Sequence, residues 1–61
     1  MDNDARKKYG VRKMRFGEAG ETIISYEKAL EELADDYKDP VAALATASMD
    51  KPLIAGVYMY Y

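Results

Sequence analysis

The 61-residue chain has no cysteine, no histidine and no tryptophan, and a single phenylalanine. Without cysteine there is neither a disulfide nor a thiolate metal site. Without histidine the commonest zinc, copper and iron ligand is missing, and so is the usual general base. No apolar run approaches the ~20 residues that span a bilayer. The opening MDNDARKKYG has no apolar stretch of the kind a secretory signal carries. These absences predict a cytoplasmic protein without enzymatic activity, cofactor, metal or membrane association.

The length allows one domain. A chain this short buries only about 60% of its unfolded surface, so its own core leaves a thin margin of stability. Domains of this size add disulfides, a metal or an oligomeric contact. With the first two missing, a second copy or a bound partner remains.

Net charge is −2, unevenly placed. Residues 1–16 carry six basic side chains (Arg6, Lys7, Lys8, Arg12, Lys13 and Arg15) against Asp2 and Asp4, a net +4. Residues 17–61 carry three lysines against nine acids, a net −6. The halves either attract one another within the fold or present a polarity to a partner.

Residues 1–9 have the composition of a charged, flexible N-terminal arm, leaving 10–61 as a single α+β domain. In GVRKMRF, Met14 and Phe16 alternate with Lys13 and Arg15, the period of a half-buried strand. Gly17 and Gly20 mark a turn, and TIIS reads as a short second strand or the lead into a helix. That helix is the clearest element. Ser25 is a good N-cap. Tyr26, Ala29, Leu30, Leu33, Ala34 and Tyr37 form one continuous apolar face, with acids on the remainder. Pro40 places its end by Lys38.

Residues 40–48 admit two readings. Asp39 and Pro40 suit the start of a second helix. A run with no charge and no long polar side chain gives such a helix nothing to show water, which favours a short strand beneath the first helix. Asp50 and Pro52 then make a turn, and LIAGVYMYY reads as the last strand. Leu53, Ala55, Val57 and Met59 take its core side, and Ile54, Gly56, Tyr58 and Tyr60 the other. The expectation is an α+β fold: a small antiparallel or mixed sheet of three to four strands, one amphipathic helix on one face, in β(β)αββ order.

No catalytic motif is present. Glu31, Glu32, Asp35 and Asp36 are paired carboxylates on a convex helix face, whereas acid–base chemistry needs a cleft. GEAG lacks the lysine and following helix of a phosphate-binding loop. Binding is the better reading. On the expected open sheet face, Ile54, Tyr58 and Tyr60 form an apolar centre and Lys13 and Arg15 a polar rim, residue types suited to protein interfaces. The terminal strand, as a sheet edge, offers a second route by strand addition. The expected function is a small protein-binding module, a regulator or inhibitor of a larger protein or its own homodimeric partner. The same basic and aromatic side chains suit a single-stranded nucleic acid, but a sequence pI near 4.9 is far from the basic footprint of such binders. In scale and layout the chain resembles small phage proteins that bind and disable a host enzyme: one acidic helix on a short sheet, no cysteine and no catalytic motif.

Overall fold

The computed structural model describes residues 3–61; Met1 and Asp2, the start of the expected arm, lie outside the described residues. Seven elements follow one another: α1 (Asn3–Tyr9), β1 (Val11–Arg15), β2 (Thr22–Ile24), α2 (Tyr26–Leu33), α3 (Pro40–Ala45), β3 (Leu53–Ala55) and β4 (Tyr58–Tyr60). The strands form one antiparallel sheet in the order β2-β1-β4-β3. The fold is therefore α+β with a four-stranded antiparallel sheet, and among the described residues three helices stand where one was expected.

α2 begins where its cap dictates. The Ser25 side chain accepts the Lys28 N–H at 3.1 Å, satisfying a donor that has no partner inside the helix. Tyr26, Ala29 and Leu33 are buried along one stripe. The helix stops at Leu33, earlier than Lys38. One further turn holds direction, because the Tyr37 N–H still bonds the Leu33 carbonyl at 2.9 Å. Buried side chains of α2 meet Val11, Ala55 and Tyr60 of the sheet and Leu44 of α3 in one core.

Residues 40–48 do not form a strand; Pro40–Ala45 is helical. The Asp39 carboxylate accepts the Ala42 N–H at 3.1 Å and Pro40 occupies the first turn. α3 buries Leu44 and leaves Val41, Ala42 and Ala45 exposed. Small apolar side chains cost little in water, so the lack of polar residues did not prevent a helix.

The charged N-terminal segment is likewise built into the fold. Asn3–Tyr9 is helical and packs on α2 and α3. Its Arg6 is fully buried, with Nε donating to the Tyr61 main-chain oxygen and Nη2 to the Ala47 carbonyl, each at 2.8 Å. One guanidinium thus ties α1 to the segment after α3 and to the end of the β4 strand. The fork geometry of arginine is what allows two separate main-chain oxygens to be held at once.

Candidate interaction surface

Residues 53–61 are a hairpin, not one strand. β3 and β4 join through Gly56 and Val57, with Gly56 at φ 63°, the left-handed conformation that a two-residue hairpin loop favours for glycine. Ala55 pairs with Tyr58 and Leu53 with Tyr60. Paired residues share a face, so Tyr58 and Tyr60 lie on the side of Leu53 and Ala55, towards the helices. Tyr60 is 3% exposed. The sequence placed both tyrosines on the open face, and the structure reverses that assignment.

Lys13 and Arg15 follow the same reversal. Lys13 pairs with Tyr60 and Arg15 with Tyr58, and buried Val11 sets the phase of β1. Lys13 stays on this side because its charge is matched. Its Nζ forms an ion pair with the Glu32 carboxylate of α2 at 2.5 Å and lies 4.1 Å from the Tyr58 ring centroid. The Tyr60 hydroxyl donates to the same Glu32 oxygen at 2.6 Å. The hydrogen bond from Lys13, then that from Tyr60, holds the Glu32 carboxyl below its usual range. Desolvation, then the Glu32 contact, raises the Tyr60 hydroxyl well above its own. Beyond this cluster Lys13, Arg15, Glu18, Thr22, Ile24 and Tyr58 line an open groove of about 310 Å³. Arg15 is exposed there and 3.9 Å from Glu18.

Of the five residues proposed from sequence, only Ile54 lies on the other face. There it joins residues the sequence assigned to the core. Met14 pairs with Met59, and Met59 with Ile54, giving an apolar row across β1, β4 and β3. Ile23 stands beside Arg12 on β2. Among the described residues no helix covers these side chains: Ile23 is 61% and Ile54 53% exposed, with Met14 and Met59 half-buried between them. Phe16 and Val57, joined by a 2.9 Å main-chain hydrogen bond, are exposed at the end of the same strands. Among the strand residues of this face, Arg12 is the charged one. It is 3.4 Å from the Glu21 carboxylate and lies over the Tyr61 ring. An apolar cleft of about 280 Å³, lined by Ala5, Tyr9, Gly10, Arg12, Ile23 and Tyr61, continues the face towards α1.

The edge route is corrected too. β4 is internal, between β1 and β3. β3 is an edge, but the Tyr37 hydroxyl donates to the Ile54 carbonyl at 3.0 Å and accepts its N–H at 3.2 Å. A side chain thereby occupies the main-chain groups that strand addition would use.

Sequence reasoning missed Met14, Ile23 and Met59 as surface residues and Arg6 as a core residue. A signal for the first group existed: Val11 alternates with Arg12 and Met14 as surely as Lys13 does, and counting the strand from Val11 gives the observed phase. Among the described residues no helix is long and apolar enough to cross a membrane. No protein-family model matches this chain, and neither a curated protein nor a solved structure matches it.

Proposed function

We propose that this chain is a non-enzymatic protein-binding module, a regulator or inhibitor of a larger protein or of its own copies, that binds through the uncovered face of the sheet. The observation supporting this reading is the apolar row Met14–Met59–Ile54, flanked by exposed Ile23 and, among the described residues, without a helix over it. Contiguous exposed apolar surface is unfavourable in water and marks interaction sites on small soluble domains. Methionine adapts its shape to an incoming surface, which suits it to such a centre. The test compares wild type with Ile54→Lys and Met59→Lys in capture from a nuclease-treated lysate. A partner held by wild type and lost by both variants, with melting temperatures unchanged, supports the reading. Capture indifferent to both variants counts against it.

The groove on the opposite side supports a second reading, binding of a single-stranded nucleic acid, because it gathers Lys13, Arg15 and Tyr58. The pairing of Lys13 with Glu32 weakens it, since that charge is already spent within the fold. Oligonucleotide titrations separate the two. Negligible affinity at about 150 mM salt is expected; a log–log salt slope near −0.7 per phosphate, lost in Arg15→Glu, would favour nucleic acid.

A further inference from the structure

We infer that the occupant of the uncovered sheet face is a second copy of this chain, packed sheet to sheet about a twofold axis; this rests on the reading of that face as a protein-binding surface. Charge is the first argument. A twofold contact brings each residue near its own counterpart or that of a neighbour, so unmatched charges would repel. Here the strand residues on the face are apolar except Arg12, and Arg12 is already matched by Glu21 and stacked over Tyr61. The face needs no complementary charge from outside and tolerates its own copy.

Shape is the second. The Met14–Met59–Ile54 row crosses three adjacent strands near the middle of the sheet, with Ile23 on the remaining edge strand. Two such faces interdigitate as the inner faces of a sandwich do, about 10 Å apart. The pairing gives a helix–sheet–sheet–helix stack, so that each sheet is covered on both sides. It also relieves a core that, among the described residues, holds nine buried apolar side chains.

Area sets the strength. Four strands about 4.8 Å apart and three to five residues long cover roughly 300 Å² in projection on each copy. The total accessible surface buried therefore falls at the low end of specific interfaces, below about 1,200 Å². The dimer is weak and dissociates on dilution. Strand addition at β3 is not the route, because Tyr37 occupies that edge.

Sedimentation velocity on the full chain from about 10 μM to about 1 mM tests this, since a folded dimer dissociates by mass action. Wild type should pass from the 6.9 kDa monomer to twice that mass. Ile54→Lys and Met59→Lys should remain monomeric over the same range, while Glu31→Lys, on the exposed side of α2, should dimerise as wild type does. The chain has no cysteine, so Met59→Cys offers an independent readout: mild oxidation should cross-link it, and should not cross-link Lys28→Cys. Wild type that stays monomeric throughout overturns the inference, as does a dimer that both lysine variants leave intact. An apolar dye separates this failure from failure of the broader reading. If wild type is monomeric but binds dye in a manner abolished by Ile54→Lys, the second copy is refuted and the face still binds. If it is monomeric and dye binding is unaffected by that variant, both fall.

Discussion

The Tyr60 hydroxyl donates a 2.6 Å hydrogen bond to the Glu32 oxygen that also holds Lys13. A strand and a helix 28 residues apart are joined through one carboxylate, with the tyrosine ring buried beneath it. Tyr60 is therefore a core residue with a polar tip, an arrangement that fixes its ring while avoiding an unsatisfied hydroxyl.

Tyr60→Ala should cost about 3–5 kcal/mol, because it removes a buried aromatic ring and leaves a cavity. Tyr60→Phe should cost about 1.5–3 kcal/mol, the value of a hydrogen bond to a charged group. Ile54→Lys, on the exposed face, should stay within about 0.5 kcal/mol of wild type. Urea denaturation followed by circular dichroism ranks the three. Equal midpoints for Tyr60→Ala and wild type would mean that the hairpin phase is wrong.

The same contacts make stability depend on pH at both ends of the scale. The folded carboxyl of Glu32 lies below its ordinary value of 4.5, so its contribution is complete above that pH and is lost as pH falls through the lower folded value. The Tyr60 hydroxyl lies above its ordinary value of 10.0, so the folded state keeps its proton longer than the unfolded chain. Its contribution is present below pH 10.0 and declines as pH rises towards the folded value. Glu32→Gln should flatten the acid limb of a stability–pH curve, and Tyr60→Phe the alkaline limb. Curves that keep the wild-type slope in both variants would place the titrating groups elsewhere.

Arg6 donates to main-chain oxygens of residues 41 and 55 positions away. Arg6→Ala should destabilise by more than about 3 kcal/mol, since it strands the main-chain oxygens of Ala47 and Tyr61 that the guanidinium satisfies. Arg6→Lys should recover only part of the loss, because one ammonium does not reproduce the fork. Thermal melts of both variants, with Lys8→Ala as an exposed control, decide the matter. A full recovery by lysine would show that charge alone is needed.

Gly10 sits between α1 and β1 at φ 96°, where an added Cβ would lie 2.6 Å from Ile23 Cγ2 and 2.7 Å from the Ile24 carbonyl oxygen. Gly10→Ala therefore combines backbone strain, on the order of 1–3 kcal/mol, with a clash against main chain that has little room to move. Gly56, at φ 63°, has nothing near its missing Cβ. Gly56→Asn should lose less, since backbone strain acts there without a clash and asparagine enters this region more readily than other side chains. Chemical denaturation should show a large loss for the first and a small one for the second; the reverse order would refute the close approach of Gly10 to Ile23 and Ile24 of β2.

What the sequence determined on its own was whatever depends on neighbours a few residues apart. The stripe Tyr26–Ala29–Leu33, the Ser25 cap, the alternation in β1 and the turn at Gly17 and Gly20 are local patterns, and together they specify an α+β domain. The tertiary structure decided the rest through contacts distant in the chain. α1 looked like a solvated arm because nothing local reveals that Arg6 meets main-chain oxygens at 47 and 61. The helix at 40–45 won over a strand through the Asp39 cap and the burial of Leu44, while its exposed alanines carry no pattern of their own. The side on which Tyr58 and Tyr60 fall turned on a two-residue loop. Read as one strand, residues 53–61 alternate without interruption; folded back at Gly56 and Val57, the second arm faces the same way as the first. Side-chain direction in a strand has a period of two, so one turn placed or missed exchanges core for surface.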